Sequence, residues 1–479
     1  MKPVSTHVLR QLEGVVGKAN VIAQPDELIV YECDAYTLER NAPQAVVLPG
    51  STEEVAEAVR ICAHNGLPII PRGAGTSLSG TVLAVDGGVV VATTRMNRVL
   101  SIDPRNRRAL VEPGCVNIWV TRAAQQHRLH YAPDPSSQMA CTIGGNIATN
   151  SGGPHTLKYG VTTNHILGFQ MVLPDGQIVW LGTEPDGGED IFGPDLRGAA
   201  IGSEGMFGVV TQALLRLTPI PQEYRTMLAI FETVDDASRA VSQIIASGIV
   251  PAALEMMDGI IIQAVEERYH FGFPLDAGAI LIIELDGLTA GLGRQTEQTI
   301  SFCLENNARQ VRQAQTEKER NELWKCRKRA FGAVGKLSPN FMTHDGVVPR
   351  SKLPEMMRFI SDVSARHGLQ IPNVFHAGDG NVHPLILYNE RDPAQIRRAI
   401  AAGHEILRKC IQLGGSVTGE HGIGVEKIDF MAEQFTPDDL DAMRALRSVF
   451  DPEERCNPHK MFPGSMRCAD FVQRKQIPA

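Results

Sequence analysis

The segment Val374-Phe375-His376-Ala377-Gly378-Asp379-Gly380-Asn381-Val382-His383 sets two imidazoles seven residues apart. On a helix they would stand two turns, about 10.5 Å, from each other, too far to share an ion held at about 2.1 Å. The intervening glycines argue against a helix, and Asp379-Gly380 is a strong two-residue hairpin signal. That turn pairs 378 with 381, 377 with 382 and 376 with 383. His376 and His383 then become cross-strand neighbours with Cβ atoms about 5 Å apart, and both could reach one ion. A second segment, Thr418-Gly419-Glu420-His421-Gly422-Ile423-Gly424, offers a carboxylate and another imidazole among glycines. Two His and one carboxylate form a common divalent-metal set with positions left for substrate, as zinc, manganese or iron would use. The plain alternative is that these are polar groups unrelated to one another, in a chain with 14 His.

The other concentration of chemistry is glycine. Of 45 glycines, 21 fall in residues 70–220. Leu67-Pro68-Ile69-Ile70 reads as a strand running into Pro71-Arg72-Gly73-Ala74-Gly75-Thr76-Ser77-Leu78-Ser79-Gly80. Such a loop can cradle phosphate, because successive N–H groups converge and missing Cβ atoms permit close approach. The dinucleotide fingerprint G-x-G-x-x-G fails, since position 78 is Leu, and no G-K-[ST] follows. Alone the loop could be an ordinary turn. Three more polar, Gly-rich segments accompany it: Pro133–Ser137 with Thr142–Gly153, Lys158-Tyr159-Gly160, and Gly202–Gly208. Four in one region suit a long ligand held largely by main chain.

Together PRGAGTSLSG, PDPSS…TIGGNIATNSGG…KYG and GSEGMFGVVT resemble the FAD-binding domain of the vanillyl-alcohol oxidase and p-cresol methylhydroxylase (PCMH) class. From about residue 40 to Asn457-Pro458 the chain resembles the FAD-linked D-2-hydroxyacid dehydrogenases, the family that includes the flavin-bearing catalytic component of glycolate oxidase. The resemblance implies that Pro71, Arg72, Gly73, Ala74, Gly75, Thr76 and Ser77 wrap the FAD pyrophosphate. Pro133, Asp134 and Ser136 with Thr142, Gly144, Gly145 and Asn146 would approach the flavin. Gly153, Tyr159, Gly160, Glu204, Gly205, Gly208, Val209 and the tail residue Asn457 would complete the pocket. HxGDGNxH and GEHGIG are metal and catalytic signatures of that family, which makes His376, His383 and Glu420 the implied ligands and His421 the implied base.

A hydroxyacid enzyme needs a carboxylate anchor, which Arg can grip bidentately. The basic stretch Trp324–Ala330 most simply reads as a solvated helical face. The resemblance selects Arg327 within it, with Arg329 second. Relatives that oxidise a longer dicarboxylate carry a lysine near the position of Thr343, so its absence points to glycolate or D-lactate. The implied reaction carries hydride from the substrate's Cα to flavin N5 and yields a 2-oxo acid. No cluster motif is present to take the electrons onward, so a quinone, a cytochrome, or an iron–sulfur or FAD-domain partner subunit is expected unless oxygen serves. Two rival readings are a metal-dependent hydrolase using His376, His383 and Glu420, and a nucleotide-binding regulatory module.

The elements that must position these groups are readable. Val46–Pro49 is a short strand. Ser51 and Glu54 form a capping box opening a helix that carries Val55, Val59 and Cys62 on one face and stops at Asn65-Gly66. Residues 88–220 alternate short strands with Gly, Pro and Asn punctuation. Amphipathic helices follow around 236–247, 295–308, 394–412 and 437–449, with a strand at 279–285. The expected fold is α+β: a two-part PCMH-type FAD-binding domain over 1–220, a substrate and metal (cap) domain over 221–440 with an antiparallel sheet and flanking helices, and a segment 441–479 returning to the first.

The chain has 479 residues, 43% hydrophobic, with 46 Lys+Arg against 54 Asp+Glu. This composition excludes wholesale disorder, and a net charge of −8 without a basic block argues against nucleic acid. Nine cysteines without a C-x-x-C pair point to reduced, mostly buried thiols rather than a cluster or zinc ribbon. With no signal-like or membrane-spanning apolar run, a cytoplasmic protein is expected, with peripheral attachment at the inner face of a membrane and oligomerisation left open. Members of the FAD class that attach the cofactor covalently through this loop carry His where this chain has Thr76, and a hydroxyl cannot form that imidazole link. Acid or heat precipitation should therefore release the flavin into the supernatant; colour staying with the polypeptide would contradict non-covalent binding.

Overall fold

The computed structural model describes residues 3–186 and 193–464. The end of the C-terminal segment, 465–479 with Cys468, lies outside the described residues. The chain divides into two compact units, the first built from residues 3–152, 160–220 and 420–464, the second from 153–159 and 221–419.

Among the described residues the first unit contains a two-stranded sheet, Leu129–His130 with Thr218–Pro219, and two larger ones. In the smaller, Val21–Ile22, Ala45–Val47, Val89–Ala92 and Ile69–Arg72 lie in that order, the last three parallel. Parallel strands need a covered face, and Ala45–Val47 and Val89–Ala92 are buried throughout. The crossover helix Thr52–His64 supplies the cover with Val55, Ala58, Val59 and Cys62. Its Ser51 cap accepts from Glu54 N–H at 3.2 Å, while Glu54 accepts from Gly50 N–H at 2.7 Å, one residue before the reciprocal partner expected for a capping box. The larger sheet is antiparallel, in the order Val99–Asp103, Arg108–Val111, Val209–Arg216, Ile166–Val172, Ile178–Gly182. Phe169, Ala213 and Leu215 on its inner face pack with Ile143 and Ile147 of the helix Ile143–Thr149.

Residues beyond the helix Pro437–Phe450 extend the smaller sheet's edge. Ile69 N–H donates to Arg455 O at 2.9 Å and Asn457 N–H to Ile69 O at 2.7 Å. Asp451 accepts from the N–H groups of Arg455 and Cys456, which turns the chain into that register.

The second unit is a seven-stranded antiparallel sheet, ordered Ala308–Gln313, Glu223–Phe231, Ala279–Gly287, Ala253–Asp258, Val374–His376, Asn381–Val382, Gly346–Val347. Flanking helices include Val234–Ala246, Gly259–Tyr269, Glu317–Val334, Leu353–His367 and Pro393–Gln412. No disulfide joins the eight cysteines among the described residues. Among those residues no helix is long and apolar enough to cross a membrane.

The third strand of the seven-stranded sheet, Ala279–Gly287, buries a carboxylate, Glu284, which is possible only because donors surround it. Arg320 grips it with two bonds of 2.8 and 2.7 Å; Trp324 Nε1 and Thr226 Oγ1 donate at 2.7 and 2.6 Å, and His155 lies at 3.4 Å. Two residues on, Asp286 takes the Lys158 ammonium and the Tyr159 hydroxyl. These two carboxylates thus anchor residues 155–159 to the second unit. Burial acts to raise the Glu284 pKa, yet the hydrogen bonds and charges of Arg320 and His155 outweigh it and hold the carboxyl below its ordinary 4.5. A depressed carboxyl stabilises the fold fully above its unfolded value and loses that contribution as pH falls below it. Glu284→Gln should therefore lower the thermal midpoint at neutral pH, with the gap to wild type narrowing below about pH 4.5. Calorimetry across that range would refute the assignment if the gap stayed constant.

Candidate active site

In the first unit the glycine-rich segments converge. The strand Ile69–Arg72 delivers the 72–77 loop against Thr142, and a Cβ at Gly73 would fall on Thr142 Oγ1. Thr142 caps the helix Ile143–Thr149 by accepting from Gly145 N–H at 3.3 Å. Ala35 N–H donates to Ser77 O at 2.9 Å, closing the loop's far side. Several polar side chains in this set serve the scaffold. Arg72 directs Nη1 and Nη2 at the Cys33 carbonyl, both at 3.1 Å, and Asn146 Oδ1 accepts from Asn117 Nδ2 at 3.0 Å. What these segments can offer a phosphate is therefore mainly backbone N–H.

Glu204 joins these loops to the 420–424 motif. Its carboxylate accepts from Ile423 N–H at 2.6 Å and Gly424 N–H at 2.8 Å. Burial raises its pKa against the pull of those two donors. Ser79 Oγ donates to the carbonyl oxygens of His421 and Gly422, at 3.2 and 3.0 Å. Asn457 Nδ2 reaches the carbonyls of Thr81 and Glu204 at 2.7 and 2.6 Å, while its buried Oδ1 finds no donor among the described residues. A cradle lined by backbone and closed by one orphaned amide oxygen fits a cofactor such as FAD. Pro71, Pro133, Asp134, Ser136, Gly160, Gly205, Gly208 and Val209 belong to this unit, as do Glu420 and His421, its first residues after the chain leaves the second.

Tyr159 and Gly153 belong to the second unit, where Tyr159 gives its hydroxyl to Asp286 Oδ2 at 2.6 Å. The histidine pair stands in the same unit, in a register two residues from the expected one. His376 pairs with Asn381, and residues 377–380 form a four-residue turn. Asp379 Oδ1 takes the Asn381 N–H at 3.1 Å, so Asn381 cannot close a two-residue turn with Gly378; Gly380 adopts φ +80° to complete the longer one. A slip of two keeps both imidazoles on one face, now as diagonal neighbours. Their ring centroids are 5.1 Å apart and nearly perpendicular.

Two buried carboxylates that sequence reading missed brace this hairpin. Glu255 lies directly across from His376 in the sheet. Its Oε1 is 2.7 Å from His376 Nδ1, and its Oε2 accepts from Arg327 Nε at 2.7 Å. Burial favours the neutral form of Glu255, but the opposed charges and bonds of His376 and Arg327 prevail and lower its pKa. Asp345 Oδ1 lies 3.5 Å from His383 Nε2, and its Oδ2 accepts from Thr418 Oγ1 and Gly419 N–H at 2.6 and 2.9 Å. The available signal for Glu255 was a lone acid inside the apolar run Ala-Leu-Glu-Met-Met. Arg327 is buried on the inner face of Glu317–Val334, not on a solvated one, and its Nη2 has no acceptor among the described residues. Arg329, the second choice, is exposed and lies over the Tyr269 ring at 4.9 Å.

Residues 43–182 match the FAD binding domain family, and residues 220–461 match the C-terminal domain of FAD linked oxidases. The chain is 43% identical over 466 residues to the glycolate oxidase subunit GlcD of Escherichia coli K12, covering 97% of this chain and 93% of that one. The Bacillus subtilis protein of the same name is 38% identical, over 98% of this chain and all of its own length. A D-lactate dehydrogenase of Anaerostipes hadrus is 31% identical over 91% of each. The chain belongs to the FAD-linked oxidases.

The solved structures of p-cresol methylhydroxylase (TM-score 0.79, 18% identity, 95% and 96% of the two chains) and of a 4-ethylphenol oxidase from Gulosibacter chungangensis (0.76, 20%, 96% and 97%) share its fold. This FAD-linked oxidase is accordingly an oxidoreductase of the PCMH-type fold, and both its halves are accounted for without the hydrolase or regulatory-module alternatives. Within it, Glu204 holds three of the motifs together. Glu204→Gln leaves one acceptor oxygen for two buried N–H groups and should cost about 1–3 kcal/mol, with weaker FAD retention. Urea unfolding followed by flavin fluorescence would show no shift if Glu204 were dispensable.

Proposed function

We propose that this FAD-linked oxidase oxidises a short D-2-hydroxy acid, glycolate or D-lactate, to the 2-oxo acid and passes the electrons to an external acceptor. The observation that carries this reading is the sharing of Glu255 by His376 and Arg327, which sets a metal-type imidazole beside an anion-seeking guanidinium. The names of the relatives supply the substrate class: glycolate for two of them and D-lactate for the third.

In this reading Arg327 binds the substrate carboxylate through its terminal nitrogens. His421 removes the hydroxyl proton, and its main chain is pinned by Ser79. The 72–77, 142–146 and 204–209 segments with Asn457 would hold FAD, which would supply the hydride acceptor at N5. His376, His383 and Glu420 would hold a divalent metal, which would supply Lewis-acid polarisation of the hydroxyl. The donor set suits it: Glu255 meets His376 at Nδ1, which makes Nε2 the ligand nitrogen, and zinc, manganese and iron all accept mixed imidazole and carboxylate ligands. Thr343 leaves no side-chain cation for a second substrate carboxylate at that position, in keeping with a short acid. The electrons then need a quinone, a cytochrome, or an iron–sulfur or flavin-containing partner subunit, and the word subunit in the names of the GlcD relatives fits an assembly.

Anaerobic glycolate or D-lactate should bleach the visible flavin band of the purified protein. His421→Asn should remain yellow and no longer bleach. A protein that stays colourless after reconstitution with FAD, or that bleaches with neither acid, would sink the reading, and loss of FAD from His421→Asn would reassign that residue to cofactor binding.

A further inference from the structure

We propose that Glu255 is a positioning residue that orients the metal-type imidazole and the substrate-binding guanidinium with one carboxylate, so that metal retention and substrate affinity depend on the same side chain. This rests on the proposed function and adds to it a residue outside the motifs.

The geometry leaves Glu255 little other role. It is 1% exposed in the middle of Ala253–Asp258, and antiparallel register places it opposite His376. Each oxygen has one partner: Oε1 the Nδ1 of His376, Oε2 the Nε of Arg327, both at 2.7 Å. With the carboxylate charged, Nδ1 is the protonated nitrogen of His376, which makes Nε2 the nitrogen that can ligate an ion. On the other side, holding Nε fixes the plane of the guanidinium. Arg327 Nη2 is then buried without an acceptor among the described residues, a donor awaiting an anion. A buried arginine of this kind is more than the sheet needs for packing, since Cys326 and Ala330 already fill the adjacent core.

Glutamine at 255 keeps the shape but has a single acceptor oxygen, so it can satisfy His376 Nδ1–H or Arg327 Nε–H, not both. The test uses the full-length, FAD-loaded Glu255→Gln protein. Stripped with chelator and re-equilibrated with zinc or manganese, it should bind the ion about 10–100-fold more weakly than wild type, the usual effect of removing a carboxylate behind a metal-bound His. At saturating metal its KM for glycolate or D-lactate should rise about tenfold with a smaller change in kcat, the pattern of lost ground-state binding. FAD content should match wild type. A folded, flavin-loaded variant with unchanged metal affinity and unchanged KM overturns the proposal.

A measurement on the unaltered protein stands beside it in case the variant fails to fold. Nitrogen-15 spectra should show the His376 resonance, assigned by its loss in His376→Gln, as the Nδ1–H tautomer in the metal-free protein. An Nε2–H tautomer overturns the proposal. Wild type that binds neither ion and bleaches with neither acid overturns the proposed function and this inference together. Wild type that does both, beside an indistinguishable Glu255→Gln, overturns the inference alone.

Discussion

An ionised carboxylate taken out of water must be met by donors, because an unpaired one costs several kcal/mol. Four acids in this oxidase are placed under that demand, and each answers it with groups from distant parts of the chain. Glu255 recruits His376 and Arg327, Asp345 recruits His383 and the Thr418-Gly419 peptide, and Glu284 recruits Arg320, Trp324, Thr226 and His155. Glu204 recruits the amides of Ile423 and Gly424. Burial turns these acids into assembly instructions: the strand or loop carrying each one can settle only where its partners already are. The hydrophobic core provides most of the free energy of folding, but it is indifferent to which apolar face meets which. The acids are not indifferent, and they sit beside the groups to which the proposed function gives roles.

That division explains which features were legible in the sequence. Glycine spacing picked out the loops that converge in the first unit, because backbone that packs closely excludes Cβ and leaves a compositional trace. Helices such as Pro393–Gln412 and Pro437–Phe450 announced themselves through caps and apolar periodicity. The closeness of His376 and His383 was legible because Asp379-Gly380 signals a turn, and alternation puts residues separated by an even slip on one face. The register itself was not. It depends on Asp379 taking the Asn381 N–H, a choice between two local hydrogen bonds that differ by less than any propensity can resolve.

The bracing acids were hidden for a different reason. Glu255 and Glu284 stand in runs of apolar residues, and their partners lie 72 and 36 residues away through Arg327 and Arg320. Periodicity describes which face a residue takes and says nothing about what crosses that face from another helix. The charge run around Arg327 misled in the same way. Lys325, Lys328 and Arg329 are solvated, as such runs usually are, while Arg327 alone falls on the buried stripe with Leu323, Trp324, Cys326 and Ala330. A lone acid in an apolar strand and a lone arginine on an apolar stripe are each an anomaly, and read together they would have predicted each other.

The first unit obeys the same constraint at its cofactor loops. Ser79 ends the loop that begins at Pro71, Glu204 opens the Glu-Gly-Met-Phe-Gly segment, and Asn457 belongs to the tail, yet all three contact either the 421–424 backbone or one another. The segment that carries His421 is therefore held by the same side chains that shape the cofactor cradle. In the proposed function His421 is the base, and a base that must act in concert with hydride loss gains nothing from being near the substrate if it can drift relative to the flavin. Tying its main chain to the glycine-rich loops removes that freedom within a single unit, and the glycines at 422 and 424 are what let the backbone come close enough to Glu204 and Ser79 to be tied.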